Sequence, residues 1–490
     1  MNAAIRKVAI AAMVMVVALL LQLTWVQVFR ADDLRADARN TRMLLDEYSR
    51  QRGQITAGGR VLAMSLPTEG RYEFERSYPT DPTAFGPTVG YYSLQYATAG
   101  IEGSQDAFLN GSDPRLLSQR ISGLISGRTP QGGSVELTLD PAAQAVAYDA
   151  LQRGAGQGPF VGSVAAVRPS TGEVLTLASS PSFDPGALSS QEQTVRTQEM
   201  ARIEQDADRP LLNHATQQAL PPGSTMKVIT TAAALAEGLD PEISVSGADR
   251  TLLPGTSTYL ENYAGQSCGG GTVTLRTAFE LSCNVPFVEL SQQIGPEAFS
   301  QMAEKFGVDG NRPQSLGVPV ASSGLGEMDD AAQLAMSAIG QSDVRMTTLQ
   351  NAMVAATVSN GGVRMEPQLI KSLTAPDLSM VEGFTPRDAD RALTDEQAGV
   401  LTELMVGAER GAGGGQSGLT IASKTGTAEH GVDSSESIPY TWYIAFVPGQ
   451  DVAVAVAIES GPGITRDTVG ATYAAPIGRE VLRALLGGTG

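Results

Sequence analysis

The sequence is poor in lysine, histidine and cysteine. Only five of its 34 basic residues are lysine, and it has two histidines and two cysteines. Because zinc sites use clusters of cysteine and histidine, we expect no metal site. Positive charge is also scarce, since 52 acidic residues leave a net charge of −18 at pH 7. This balance argues against nucleic acid or another polyanion as a partner.

The scarcity of lysine makes each lysine informative. The five are Lys7, Lys227, Lys305, Lys371 and Lys424. An amine can lose its proton or act as a compact charge, whereas a guanidinium cannot. A lysine at a chemically suggestive spacing therefore points to a need for that amine.

The two cysteines, Cys268 and Cys283, are 15 residues apart in sequence. In an exported domain they would pair, and a disulfide closing a loop of that length contributes roughly 3 kcal/mol. The alternative is two buried free thiols. The residues by themselves leave both open.

One apolar run stands out near the N-terminus. Residues 8–29 contain no charged residue, follow Arg6 and Lys7, and are numerous enough to cross a hydrocarbon core of ~30 Å. The run is longer than the apolar part of a usual signal peptide, and no small-x-small cleavage pattern follows it. We predict a retained membrane anchor. Arginines on both sides leave its orientation open.

The rest of the chain predicts an α+β fold. With 42% hydrophobic and 18% charged residues, 490 residues suggest two or three folding units. Strand patterns occur near both ends of the region after residue 155, at 161–167, 173–178, 441–447 and 452–458. Helical patterns lie between and after them, at 225–236, 330–339, 347–358 and 474–486. This order predicts one antiparallel sheet built from distant segments.

The first chemical motif is S-x-x-K at Ser224 and Lys227. Residues three apart share a face of a helix, so the amine lies beside the hydroxyl. A serine hydroxyl becomes a nucleophile when a neighbouring base takes its proton, and a lysine of lowered pKa is such a base. The motif alone is weak, with ~0.4 chance matches expected in this composition.

Two more motifs follow in the sequence. Ser282 and Asn284 form S-x-N, in which the hydroxyl would relay a proton and the amide would hold a substrate carbonyl or Lys227. Lys424, Thr425 and Gly426 form K-T-G, followed by Thr427. There the glycine allows close backbone approach, and the cation and hydroxyls suit a carboxylate. All three motifs in this order are expected by chance only roughly 0.002 times.

Together the three motifs resemble the fingerprint of serine penicillin-recognising enzymes. The chain looks like a class B penicillin-binding protein, most closely the short actinobacterial penicillin-binding protein A type. The similarity runs nearly end to end, through RGQI at 52–55, ASSPSFDP at 178–185, PGSTMK at 222–227, IGQ at 339–341, NGG at 360–362 and WYIAFVP at 442–448. It departs at 56–59, TAGG in place of the usual DRNG, and at Cys283 within S-x-N.

The resemblance implies a fold and a mechanism. The fold is a penicillin-binding transpeptidase domain, similar to serine β-lactamases, with a five-stranded antiparallel sheet flanked by helices. Ser224 would attack the D-Ala-D-Ala carbonyl of a peptidoglycan stem peptide, with Lys227 as general base and Ser282 passing the proton on. Asn284, Lys424, Thr425, Gly426 and Thr427 would bind substrate, the backbone N–H groups of Ser224 and Thr427 would form the oxyanion hole, and no cofactor would be needed.

The resemblance also implies an arrangement in the cell. Residues 1–7 would be a cytoplasmic tail, 8–29 the single transmembrane anchor, 30–155 an elongated non-catalytic pedestal or dimerisation-like module, and 156–490 the extracytoplasmic transpeptidase domain. An oxidising exterior favours a disulfide between Cys268 and Cys283. Implied partners are stem peptides of nascent glycan strands, β-lactam antibiotics, the cytoplasmic membrane and other cell-division proteins, in septal wall synthesis.

Alternatives from other classes stay open. The same fold supports a D,D-carboxypeptidase or a β-lactamase, in which water resolves the acyl-enzyme, although no Glu-x-x-Leu-Asn motif is evident. A non-catalytic penicillin sensor or scaffold is a second alternative. A Ser-His-Asp hydrolase is the weakest, because His214 and His430 have no partner that the sequence identifies.

Overall fold

The fold is known from a computed structural model that describes residues 2–26, 48–69, 72–126, 131–311, 316–414, 418–429 and 437–487. Most of the polar segment that precedes the RGQI motif, and His430, lie outside these ranges. The α-helices within them are Asn2–Thr24, Pro82–Val89, Gly100–Ser104, Asp106–Leu109, Leu117–Ser126, Pro141–Arg153, Pro185–Ser189, Gln193–Gln205, His214–Gln217, Lys227–Ala236, Leu275–Glu280, Val285–Ile294, Pro296–Lys305, Ala331–Ala338, Thr348–Ser359, Asp395–Gly411 and Ala474–Leu485.

The first helix, Asn2–Thr24, is long and apolar enough to act as a membrane anchor. Its part Ile5–Thr24 has a mean hydropathy of 2.2 and is not buried in the protein. Twenty residues of helix span a hydrocarbon core of ~30 Å. The helix begins six residues before the predicted span 8–29, and residues 27–29 lie outside the described part of the chain.

A five-stranded antiparallel sheet forms the centre of the larger part of the molecule. Its strands are, in spatial order, Ala422–Ala428, Tyr440–Phe446, Ala453–Ser460, Val161–Val167 and Val174–Ser180. The sheet agrees with the fold predicted from the resemblance, and four of its five strands lie where the apolar runs predicted them, the fifth being the strand that carries the K-T-G motif. Strand Ala422–Ala428 lies at one edge and Val174–Ser180 at the other.

Helices cover both faces of this central sheet, which explains the continuous apolar runs of its strands. Alternate residues of each strand point into two different hydrophobic clusters. Helix Thr348–Ser359 packs against the first face, and helices Pro141–Arg153 and Ala474–Leu485 pack against the second. The central strands are consequently almost entirely buried.

A second sheet, which we call the N-terminal sheet, has six strands. They are, in order, Met380–Gly383, Ile370–Thr374, Ser134–Leu137, Ile55–Ala57, Arg60–Pro67 and Phe74–Ser77. Its first two strands come from a segment more than 200 residues after the others. No local pattern in the sequence predicts this pairing. The remaining strands form two-stranded ribbons, Tyr92–Ser93 with Ala97–Thr98, Ser244–Ser246 with Thr272–Thr274, Arg250–Leu252 with Tyr259–Glu261, and Val363–Met365 with Asp388–Arg391.

The RGQI motif has a clear structural role beside the N-terminal sheet. The Arg52 guanidinium and the Arg76 guanidinium donate to opposite oxygens of Glu102, at 2.7 and 2.6 Å, and all three side chains are buried. Burial alone would raise the pKa of Glu102, but the charges of Arg76 and Arg52 outweigh it and lower that pKa. Arg52 thus fixes the chain beside the N-terminal sheet through a buried ion network.

This network gives a stability prediction. The Glu102→Gln variant leaves two buried guanidinium groups without their shared carboxylate, so we expect it to lose about 3–5 kcal/mol of unfolding free energy. Urea unfolding of the full chain in detergent micelles measures this loss. The matched control is Glu382→Gln, whose ion pair with Arg115 is solvent-exposed and is expected to contribute less than about 1 kcal/mol. Equal losses for the two variants would contradict the assignment.

Candidate active site

Ser224 lies in a short 3₁₀ turn, Gly223–Met226, directly before helix Lys227–Ala236. The sequence pattern predicted a single helix from 225, so the helix begins two residues later than expected. Two contacts fix the turn: the Gly223 N–H donates to Gly340 O at 2.9 Å, and the Trp442 indole N–H donates to Pro221 O at 2.8 Å. Gly223 has φ 55°, and a Cβ there would lie 2.6 Å from Thr427 O. Only glycine permits this close approach.

Lys227 is fully buried below the nucleophile turn. Its ammonium donates to Ser282 O at 2.7 Å and to Asn284 Oδ1 at 2.8 Å. Burial, and next the charge of Lys424, lower the pKa of Lys227 well below its usual value. Within the described ranges, no hydrogen bond of Lys227 reaches Ser224. Catalytic hydrogen bonds of this kind often tighten only when substrate is bound.

The S-x-N segment is a strained loop between two helices. The preceding helix ends at Glu280, and Ser282 has φ 62°, a left-handed conformation that is unusual for serine. Asn262 Oδ1 accepts the N–H of Asn284 at 2.8 Å and that of Val285 at 3.2 Å. These bonds hold Ser282 and Asn284 above the Lys227 amine.

A disulfide joins Cys268 to Cys283 in the middle of this segment, with 6.1 Å between their Cα atoms. Both cysteines are buried. The pairing implied by the resemblance is therefore present, and it ties the S-x-N loop to the segment that follows Asn262.

The K-T-G motif lies on the edge strand Ala422–Ala428. Lys424 is buried, and its ammonium donates to Ser282 Oγ at 2.7 Å and to Thr425 O at 3.2 Å. Burial lowers the pKa of Lys424 to about 7. A Cβ on Gly426 would lie 2.7 Å from Pro222 O, so the strand fits tightly against the nucleophile turn.

The three motifs meet at one open cleft of about 1160 Å³. The predicted site residues that line it are Ser224, Ser282, Asn284, Lys424, Thr425 and Thr427. Lys227 lies behind them and reaches the cleft through Ser282 and Asn284, and Gly426 packs against Pro222. The structure therefore brings together every residue of the predicted catalytic and substrate-binding set.

Sequence reasoning missed Asn262, which orients the S-x-N segment, because an isolated asparagine in a loop gives no signal of its distant partner.

His214 does not line the cleft that contains Ser224. It is buried, and its ring contacts Glu459 Oε1 at 2.6 Å and Asp208 O at 3.0 Å. No group of three or more His, Cys, Asp or Glu side chains that could hold a metal ion occurs among the described residues.

Two family models match this chain. The penicillin-binding protein transpeptidase domain matches residues 162–483, and the penicillin-binding protein A dimerisation domain matches residues 52–135. The peptidoglycan D,D-transpeptidase PbpA of Mycolicibacterium smegmatis is 49% identical over 99% of both chains. The protein of the same name from Mycobacterium tuberculosis is 48% identical over 100% of both. The chain belongs to the penicillin-binding protein A family of transpeptidases.

Solved structures agree with this family. Penicillin-binding protein A from M. tuberculosis, as a ceftriaxone acyl-enzyme complex, superposes with a TM-score of 0.87 at 47% identity, over 90% of this chain and 100% of that one. The penicillin G acyl-enzyme complex of the same M. tuberculosis protein has a TM-score of 0.86 at 47% identity, over 89% of this chain and 100% of that one. The predictions of family, α+β fold and transpeptidase class are confirmed for this penicillin-binding protein.

The burial of Lys227 leads to a prediction about acylation. If its neutral amine takes the Ser224 proton, Lys227→Arg should reduce acylation by penicillin at least about 10³-fold, because a guanidinium stays protonated. The acylation rate of the wild type should fall as pH decreases through the lowered pKa of Lys227, since its amine then gains a proton. Stopped-flow acylation over a pH series measures both. The control, Lys305→Arg at an exposed helix end, should leave the acylation rate unchanged. A Lys227→Arg enzyme that acylates at the wild-type rate would refute the role of Lys227 as general base.

Proposed function

We propose that this chain is a peptidoglycan D,D-transpeptidase that works through a Ser224 acyl-enzyme. Ser224 attacks the carbonyl of the D-Ala-D-Ala bond of a stem peptide, the terminal D-Ala leaves, and an amine of a neighbouring stem peptide resolves the ester to form a cross-link. The observation that carries the proposal is the convergence of Lys227 and Lys424 on Ser282 beside Ser224 in one cleft.

The hydrogen bonds of Lys227 support its role as general base. A neutral amine has two N–H groups and one lone pair. Both of its N–H groups have acceptors, Ser282 O and Asn284 Oδ1. In the neutral form favoured by burial, the lone pair is then the group left to accept the Ser224 proton.

Ser282 is suited to pass the proton to the departing amine. Its oxygen accepts a hydrogen bond from Lys424, which leaves its own O–H free to donate. A hydroxyl both donates and accepts, so Ser282 would give its proton to the departing amine and regain the proton that Lys227 took from Ser224, without acquiring a lasting charge. This role applies to release of D-Ala and, in reverse, to the incoming acceptor amine.

The K-T-G strand would bind the carboxylate and the developing oxyanion. Thr425 and Thr427 line the cleft beside Lys424, and a bound carboxylate would favour the charged form of that lysine. The backbone N–H groups of Ser224 and Thr427 would form the oxyanion hole, where one donor stabilises the transition state by about 3–4 kcal/mol. The close packing of Gly223 on Thr427 supports this pairing.

β-Lactams would inhibit the enzyme by acylating Ser224. One relative at 47% identity, penicillin-binding protein A from M. tuberculosis, has been solved as ceftriaxone, imipenem and penicillin G acyl-enzyme complexes. The same attack that opens the D-Ala-D-Ala peptide would open the lactam ring.

The cellular arrangement follows from the substrate. With residues 1–7 in the cytoplasm, 8–29 in the membrane and 30–155 as a non-catalytic module, the transpeptidase domain at 156–490 faces the wall outside. The apolar helix and the Cys268–Cys283 disulfide support this orientation. We place the activity in septal wall synthesis with cell-division proteins as partners.

A fluorescent fusion of the full chain tests the septal role. The fusion should collect at division sites, and uniform lateral labelling would argue against a septal role.

Labelling with a fluorescent penicillin tests the nucleophile. The wild type should become covalently labelled, and Ser224→Ala should lose labelling completely because no hydroxyl remains to form the ester. Gel fluorescence after denaturation measures the covalent product. Ser190→Ala, a serine outside the cleft lining, should label like the wild type. Full labelling of Ser224→Ala would refute the mechanism.

Product analysis distinguishes cross-linking from hydrolysis. Incubated with a stem-peptide donor and an amine acceptor, the full chain should give the amide adduct as its main product, because the acceptor resolves the ester. Mass spectrometry quantifies adduct and free acid in parallel reactions with and without acceptor. Free acid as the main product even with excess acceptor would favour the carboxypeptidase alternative.

A further inference from the structure

Glu409 forms a buried hydrogen-bond network behind the K-T-G strand. Its carboxylate is almost fully buried and accepts three hydrogen bonds. One oxygen accepts from the hydroxyl groups of Ser423 and of Tyr443, the latter at 3.0 Å, and the other accepts from Arg479 Nε at 2.7 Å. Arg479 also donates to Ala412 O at 2.8 Å. The mechanism described above does not use this carboxylate.

Ser423 connects this network to Lys424 of the K-T-G motif. Neighbouring side chains of a strand point to opposite faces, so Ser423 faces Glu409 while Lys424 faces the cleft. Tyr443 is the cross-strand partner of Thr425. The same carboxylate therefore holds the K-T-G strand both directly and through the neighbouring strand.

Helix Asp395–Gly411, which carries Glu409, also touches the end of the helix that precedes the S-x-N segment. A Cβ on Gly407 would lie 2.1 Å from the Glu280 carboxylate, and one on Gly411 would lie 3.6 Å from Glu280 O. Glu280 precedes Ser282 by two residues. One helix thus contacts the elements that supply both partners of the 2.7 Å contact between Lys424 and Ser282.

We propose that Glu409 is a positioning residue for the acyl transfer, which through Ser423 holds the K-T-G strand where Lys424 meets Ser282 and Thr427 meets the nucleophile turn. The inference rests on the proposed roles of Lys424 and Thr427. A carboxylate with three donors from three different elements has few other arrangements, so it defines the position of the strand. Small displacements at a catalytic group have large effects on rate.

The decisive variant is Ser423→Ala. It removes the direct bond between strand and carboxylate but leaves Glu409 paired with Arg479 and Tyr443, so the protein should still fold. We expect the second-order rate constant for acylation by penicillin to fall about tenfold. Acylation is followed by stopped flow on the full chain in detergent micelles, with the thermal midpoint measured on the same samples.

The matched control is Ser163→Ala. Ser163 is also a buried strand serine of the central sheet. Among the described residues its hydroxyl bonds only to that of Thr348, at 2.8 Å, outside the residues that line the cleft. It should lower the thermal midpoint by a similar amount while acylation stays within about twofold of the wild type. Equal acylation rates for Ser423→Ala and Ser163→Ala would overturn the proposal.

The conservative variant Glu409→Gln separates hydrogen bonding from charge. Its amide oxygen still accepts from Arg479, and its amide N–H₂ donates to the two hydroxyls, which rotate to accept. We expect acylation within about threefold of the wild type. A stable Glu409→Gln protein that loses as much activity as Ser423→Ala would refute positioning by hydrogen bonds.

The wild type and Ser224→Ala are measured in the same experiment, to separate the positioning role from the proposed function. If Ser224→Ala is labelled, the proposed function fails. If labelling depends on Ser224 but Ser423→Ala behaves like Ser163→Ala, only the positioning role fails.

Discussion

The structure depends on holding two buried lysines beside the same serine. Lys227 and Lys424 both lose hydration, and Lys424 further disfavours a charge on Lys227. Within the described ranges neither lysine forms an ion pair, so each depends on hydrogen bonds to carbonyl, amide and hydroxyl oxygens. Such an arrangement is costly, because a buried charge without a counterion is disfavoured. The cost lowers the two pKa values, and the lowered pKa of Lys227 is what a general base needs.

Close backbone packing keeps the lysines in place. The nucleophile turn, the S-x-N loop and the K-T-G strand come from three separate parts of the sequence, and small residues permit their contact at Gly223, Gly340 and Gly426. A Cβ on Gly340 would lie 2.1 Å from Gly223 O. The strained φ of Ser282 belongs to the same constraint, because its carbonyl and its hydroxyl must serve different lysines. Interlocking backbone contacts therefore hold the two lysines in position, although the described residues give them no counter-charge.

Local signals in the sequence predicted the parts of the site but not its supports. Ser224, Ser282 and Lys424 were found because reactive residue types recur at fixed spacings, and the central strands because strands buried on both faces are continuous apolar runs. Asn262 and Glu409 gave no signal. A loop asparagine and a helix glutamate look like surface residues until distant elements surround them. The pairing of 370–383 with the N-terminal sheet is of the same kind, since long-range register is set by packing.

The segment that follows strand Ser134–Leu137 covers one edge of the central sheet. Thr138 Oγ1 donates to Val174 O at 2.7 Å, and the Gln144 side chain bonds to both the N–H and the carbonyl of Leu177. These contacts cover strand Val174–Ser180, which is the edge opposite the K-T-G strand. An uncovered edge pairs readily with other chains. Covering this edge leaves the K-T-G strand as the edge of the central sheet that borders the cleft.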